Sequence, residues 1–379
     1  MWNGKLRRRI LELESRQREL EELVKKAVQS TKEQMAEQVD QSLRDLARRV
    51  VGEQPQMSYF NERLRAYEFG LLNIKQMGYE LGRQLGKANL HREVKSPSKD
   101  LLKSSLCTQA DVESDWFAFW CGEIKSAPLY HRKLWELCYI SQALWIRGKL
   151  GSGSRGLGFG CGEEPLPSVF AKYGVHVLAT DLDQSRPEAK GWRETGQHSD
   201  SAESLRNRGI CPDEKLLANI AFQPADMNDI PRELDGQFDF CWSSCALEHV
   251  GSIEKGLKFI ENSLRTLKPG GVAVHTTEFN LADGETIDNW GTVLFQKKHI
   301  IDFVAQLESR GFNVAPLDFS PGNKILDGFV DIPPWGHDAV RLSDPSAHLK
   351  LSVDGFPCTS IGLIVQVPQA SLHSTEPEF

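Results

Sequence analysis

Along the first fifty residues, apolar positions recur at alternating spacings of four and three. They are Leu6, Ile10, Leu13, Leu20, Val24 and Ala27, with Gln17 and Thr31 filling the remaining places of the series. This spacing predicts one long helix with an a/d seam, the pattern of a coiled coil. Met35, Val39 and Leu43 continue at a constant four, a stutter that relaxes the supercoil. Neither Gly nor Pro interrupts Lys5 to Val51. Residues 1–51 therefore read as a coiled-coil helix that joins copies of the chain into a homo-oligomer, with a lone helix folded back on its own domain as the alternative. Gln17 and Thr31 weaken its seam.

Residues 52–110 carry a weaker helical pattern and end in the polar stretch HREVKSPSKD, which reads as an exposed linker. Two amphipathic helices follow, DVESDWFAFWCGEI and PLYHRKLWELCYISQALWIRGKL, the second with Pro128 at its start. Trp135, Cys138 and Trp145 fall near helical spacing, and aromatics at this density suit a core. From about Arg155 the pattern changes to strands alternating with helices, which predicts a mainly parallel, doubly wound α/β sheet over residues 111–379. GFNVAPLDF (311–319) and TSIGLIVQV (359–367) read as its sixth and seventh strands. Between them lies an insert, residues 320–358, long enough to be functional and able to cap a bound ligand.

Composition narrows the class without changing this picture. The chain has 379 residues, 40% hydrophobic and 26% charged, as a globular protein does. No apolar run reaches the length of a membrane span, and MWNGKLRRRILELESRQ lacks the apolar core of a signal peptide. The eight cysteines show neither CxxC pairs nor zinc spacing, which points to reduced thiols in a cytoplasm and to no metal centre. A net charge of −7 speaks against gripping nucleic acid by its phosphates.

The chemistry gathers at GLGFGCGEEP, where a strand runs into a glycine turn. A dinucleotide loop needs G-x-G-x-x-G, and the third glycine falls on Glu163 in one register and Pro165 in the other. No Lys-Ser or Lys-Thr follows, so this is not a P-loop. What remains is G-x-G-x-G: Gly158, Gly160 and Gly162. The glutamates after it would repel a pyrophosphate but suit a sulfonium or ammonium. Asp181 ends the next apolar strand, VHVLATDLD, at the spacing where a strand-end carboxylate meets ribose hydroxyls.

Together with FQPADMNDIP, FDFCWSSCALEHV and LRTLKPGGVAVHTTEFN, these motifs make residues 150–315 resemble the class I S-adenosylmethionine-dependent methyltransferases. The resemblance implies a seven-stranded Rossmann-like sheet whose last strand is antiparallel, with S-adenosylmethionine as cofactor. It implies that Gly158, Gly160 and Gly162 line the methionine end, that Asp181 holds the ribose, and that Asp226 and Met227 meet the adenine. The pattern departs from the family at two places. The acid that commonly precedes the turn is Gly158 here, and the usual last glycine is Glu164.

A hydroxyl acceptor requires a base, and His249 in SSCALEHV is the candidate, with Glu278 second. Leu-Glu-His-Val is also common in the family whatever the acceptor, so a packing role for His249 stands beside the catalytic one. Asn280, Trp290 and Trp335 are candidates for holding the acceptor, since sugar sites combine aromatic faces with carboxylates and amides. DIPPW (331–335) and Pro357-Cys358 resemble nucleic-acid methyltransferase boxes but stand in the wrong places. The overall likeness leans toward methyltransferases of bacterial surface-polysaccharide pathways, which makes a sugar hydroxyl of a glycan or nucleotide-sugar the expected acceptor. A small phenol or quinone is the alternative acceptor. A catalytically silent coiled-coil scaffold and a nicotinamide-dependent sugar dehydrogenase are the other readings.

Overall fold

The computed structural model describes residues 57–186, 198–333 and 347–369, together with Gln41, Arg44 and Trp335. The seam expected over residues 1–51 lies outside them but for those two isolated positions. The chain divides into two compact units, residues 1–73 and 74–379, so the boundary falls inside the expected 52–110 region. Helix α1, Met57–Asn89, crosses that boundary. It carries Leu64, Tyr67, Leu71 and Ile74 three and four residues apart, each at least half exposed.

Two helices precede the sheet. α2, Asp115–Ile124, is capped by Ser114, whose side chain accepts from the Phe117 amide, and it ends at Lys125 in the left-handed conformation. α3, Arg132–Ile146, starts at an N-cap formed by His131, so Pro128 lies outside the helix rather than at its first turn. Trp116, Trp120 and Trp135 are buried, with Trp135 stacked on Tyr139 and the Trp120 indole donating to Gln142. These aromatics are core, as their density suggests.

The sheet is built from β1 (Arg155–Phe159), β2 (His176–Asp181), β3 (Ile220–Pro224), β4 (Phe238–Ser244) and β5 (Leu267–Asn280), all parallel. The interleaved helices are α4 (Leu166–Lys172), α5 (Ile253–Ser263) and α6 (Lys297–Ser309). β6 is Asn313–Val314, β7 Val330–Asp331, β8 Lys350–Val353 and β9 Phe356–Gln366. The strand order is β3-β2-β1-β4-β5-β9-β8-β7, with β6 on the far end of β9. β9 runs antiparallel to β5, as the resemblance implies. Order reverses at β1, which has β2 on one side and β4 on the other, and a ligand crevice opens at such a switch point.

Among the described residues the sheet has nine strands rather than seven. The two extra strands, β7 and β8, come from the insert. The stretch 311–319 is also not one strand: Asn313–Val314 pairs with β9, while Leu317–Asp318 pairs with Ser104–Ser105 in a separate ladder. Pro316 between them has no amide hydrogen for the sheet, and its carbonyl accepts instead from Ser104. Asp331, fully buried, fastens the insert: it pairs with Lys75 Nζ at 3.1 Å and accepts from the Tyr79 hydroxyl at 2.7 Å, with His348 Nδ1 also at 2.7 Å. Among its described residues the insert extends the sheet and does not cover the crevice.

Candidate active site

β1 delivers the chain into the turn Gly160-Cys161-Gly162, where Gly160 and Gly162 take φ values of 58° and 50°. Only glycine enters that region without cost. A Cβ on Gly160 would stand 2.7 Å from the Ala246 methyl and 3.4 Å from Met227 Sδ, so this backbone forms the wall of a narrow approach. The Gly162 amide donates to Asp181 Oδ2 at 3.1 Å, and the Ser199 amide reaches the same oxygen at 3.1 Å. Asp226, after β3, accepts from the Asn228 amide at 2.8 Å and stands 3.4 Å from Arg186. Gly160, Gly162, Asp181, Asp226 and Met227 thus share one cleft of about 1100 Å³ at the carboxyl edge of the sheet.

Gly158 is the exception to the expected set. It lies in β1 behind the cleft, buried, and its missing side chain makes room for the Trp242 ring and the Cys161 sulfur. It is a packing glycine.

The other wall of the cleft belongs to a charged network that periodicity did not reveal. Helix α3 brings Lys133 to the cleft and buries Arg132 and Glu136 beside it. Glu136 is completely buried yet well partnered: it accepts from Ser360 at 2.5 Å, Thr276 at 2.9 Å and the Cys245 thiol at 3.0 Å. Burial alone would raise its pKa, but Lys133 and Arg132 outweigh it and hold the carboxyl below its usual range. Cys245 follows β4 with φ 44°, a left-handed backbone at a non-glycine residue. Burial, reinforced by Glu136, pushes its thiol well above the ordinary value, so it is a protonated donor and no nucleophile.

Glu278 is not at the cleft surface. It is buried behind Cys245 and ion-paired with Arg132, and burial raises its pKa against that pairing. Its Oε2 and Glu248 Oε1 are buried with no hydrogen-bond partner. Ligand atoms of Cys245, Glu248 and Glu278 converge within 4.8 Å of one another, a spacing a metal ion could use. The Arg132 guanidinium already fills that need for positive charge, bonded to Glu278 and 3.7 Å from the Cys245 sulfur.

His249 lines the cleft from the short 3₁₀ turn after β4. Its Nδ1 lies 2.9 Å from the Gly291 carbonyl oxygen, which can only accept, so Nδ1 carries the hydrogen and Nε2 the lone pair. Glu248 Oε1 is 3.9 Å from Nε2. The packing role and the chemical role therefore coexist: one nitrogen ties down the loop while the ring stands in the cleft.

The expected acceptor residues are not brought together. Asn280 is buried, with its amide donating to the Glu285 carbonyl and Thr286 and its oxygen accepting from the Ala282 amide, so it shapes its own loop. Trp335 packs edge-on against His348 in the insert and does not line the cleft. Trp290 is 68% exposed and immediately precedes Gly291, which places it on the loop that His249 holds.

Residues 136–317 match the family model described as "Methyltransferase domain", a span running from Glu136 in α3 past the five parallel strands and α6 to Leu317. No curated protein matches the chain. Among solved structures, the chain is similar to a SAM dependent methyltransferase from Aquifex aeolicus, at 15% identity and a TM-score of 0.32, covering 60% of this chain and 88% of that one. It is similar to an S-adenosylmethionine dependent methyltransferase from Mesorhizobium loti, at 17% identity and TM-score 0.33, covering 57% and 92%. A third is phosphoethanolamine N-methyltransferase 2 of Haemonchus contortus in complex with S-adenosyl-L-methionine, at 16% identity and TM-score 0.34, covering 61% and 53%.

Proposed function

We propose that this S-adenosylmethionine-dependent methyltransferase methylates a hydroxyl group, on a sugar of a glycan or nucleotide-sugar. The cleft suits the cofactor. A Cβ at Gly160 would close the narrow approach, Asp181 offers a carboxylate to the ribose, and Asp226 and Met227, which line the same cleft after β3, support an adenine site there. When bound, S-adenosylmethionine supplies a methyl group made electrophilic by its sulfonium. The protein's part is to hold an acceptor in line with it and to take a proton away, an orientation effect of about several kcal/mol.

The observation that carries the hydroxyl reading is the contact of His249 Nδ1 with the Gly291 carbonyl at 2.9 Å. With Nδ1–H committed to Gly291, Nε2 is the nitrogen that takes a proton from an acceptor hydroxyl. Glu248 at 3.9 Å then stabilises the imidazolium that forms, as a carboxylate does beside a catalytic histidine. Glu278 acts through others: with Glu136 it fixes Arg132 and Lys133, and Lys133 presents an ammonium to the acceptor end of the cleft. Trp290 on the loop tied to His249 supplies a face for a sugar ring. Surface-polysaccharide sugars are the acceptors this reading favours, and eight free cysteines fit a cytoplasmic enzyme. The N-terminal helix over residues 1–51 joins copies of the chain, and the exposed apolar positions Leu64, Tyr67, Leu71 and Ile74 on α1 suit a further contact in the same assembly.

A panel of nucleotide-sugars, oligosaccharides, phenols and quinones assayed for methyl transfer tests the acceptor. Turnover confined to phenols or quinones would replace the sugar assignment.

A further inference from the structure

The turn departs from its family pattern at two positions, Gly158 and Glu164, and the structure joins them through one ring. Gly158 pairs with Trp242 across the β1–β4 ladder. A Cβ at residue 158 would meet the Cys161 sulfur at 2.4 Å and the Trp242 ring at 2.5 Å, so no acidic side chain fits there. That same fully buried indole donates its Nε1–H to Glu164 Oε1 at 2.6 Å. Trp242 thus removes the place for an acid before the turn and fixes an acid after it. Glu164 lines the cleft beside Gly160, Gly162 and Asp181. Among the described residues no basic side chain pairs with it.

We propose that Glu164 binds the α-ammonium group of S-adenosylmethionine, replacing the acid that position 158 cannot hold. This rests on the cofactor and not on the identity of the acceptor. A half-buried carboxyl that receives an indole N–H and has no basic partner among the described residues ionises most readily beside a cation, and an ammonium is the cation the cofactor carries at its methionine end. Burial pushes the Glu164 carboxyl up to about 8, against the hydrogen bonds from Trp242 and Cys161. Near neutral pH a substantial fraction of this carboxyl is therefore protonated before the cofactor binds, and a neighbouring ammonium favours its ionised form.

Three ligands separate this role from others in titration calorimetry of the full chain and of Glu164→Gln. S-adenosylmethionine and S-adenosylhomocysteine both carry the ammonium, only the former carries the sulfonium, and 5′-methylthioadenosine has neither. Glu164→Gln should weaken the first two by about 10- to 100-fold and leave 5′-methylthioadenosine within about twofold. Proton release on binding S-adenosylhomocysteine at pH 7, measured in two buffers of different ionisation enthalpy, should disappear in the variant. Equal losses for all three ligands would make Glu164 a structural residue and overturn the proposal. A loss confined to S-adenosylmethionine would assign the carboxylate to the sulfonium and overturn it as well. Binding of none of them by the wild-type protein would remove the cofactor reading, and the proposal with it.

Discussion

The Gly162 amide donates to Asp181 Oδ2 at 3.1 Å, so the acid proposed for the ribose also locks the glycine turn from the neighbouring strand. Asp181 accepts from the Leu182 and Ser199 amides as well, and its orientation is fixed before any ligand enters. Asp181→Ala should weaken S-adenosylhomocysteine binding by about 1–3 kcal/mol through the lost ribose contacts and the loosened turn. Asp181→Asn should lose less, because its amide oxygen can still accept from Gly162. Calorimetry of the two variants measures the difference, and identical losses would show that turn and ribose do not share this side chain.

His249→Ala should lower kcat by about 100- to 10,000-fold on a hydroxyl acceptor while leaving cofactor affinity nearly unchanged. The loop holding Trp290 loses its tie to the histidine in that variant, so KM should rise too. His249→Gln can keep a donor to Gly291 but has no proton acceptor of comparable basicity. It should restore KM and not kcat. Recovery of both would make the histidine a packing residue only.

Acid should destabilise the protein through its buried imidazoles. Burial lowers the pKa of His275 to about 3, with its two nitrogens 2.8 Å and 3.0 Å from the Ser243 and Ser263 hydroxyls. The group is neutral when folded and takes a proton when unfolded below about pH 6.5. Its contribution is therefore complete above the unfolded pKa and is lost as pH falls from about 6.5 toward 3, at about 1.4 kcal/mol per pH unit. His131, also lowered to about 3 by burial and by His348, adds a second slope of the same sign. Asp111, raised to about 6 by burial, opposes them between about pH 4 and 6. Urea unfolding of His275→Gln against pH should show a slope shallower by one proton; an unchanged slope would contradict the assignment.

The unit 74–379 keeps Lys75 and Tyr79, the partners that fasten the insert through Asp331. A chain cut at residue 74 should fold and bind S-adenosylhomocysteine while forming a smaller assembly than the full chain. A cut near Asp111 removes both partners and leaves Asp331 buried with His348 alone, at a cost of about 3–5 kcal/mol. Light scattering that gives the same subunit number for the full chain and residues 74–379 would exclude the N-terminal helix as the joining element.

The glycine turn was legible in the sequence because positive φ and close approach exclude other residues at 160 and 162, and Asp181 because the strand ending in it is apolar. Gly158 carried the same letter for a different reason, the bulk of Trp242 on the next strand, and only the β1–β4 pairing reveals it. Arg132 and Glu136 stood four apart on a helix whose aromatics marked it as core, and that spacing was the one available signal of a buried ion pair. Cys245 and Ser360 reach the same carboxylate from strands 115 residues apart in sequence, which no local pattern records. The insert was visible as a long stretch between strands. Its addition to the sheet edge depends on the Lys350–Val353 hairpin with β9, whose two-residue turn Asp354-Gly355 at φ 48° and 88° is a hairpin signal present in the sequence but hidden within a stretch read only as an insert.

Cys245 holds its left-handed backbone because its thiol is bonded to Glu136 and its amide to the Thr276 carbonyl. Such a conformation costs about 1–3 kcal/mol at a residue with a side chain. The surrounding core meets that cost once, during folding, and it does not recur with each turnover. The residue between the fourth strand and the cleft is accordingly already in its working shape when a ligand arrives. Little ordering entropy at that wall remains to be subtracted from binding, and the free energy of each encounter can go into alignment.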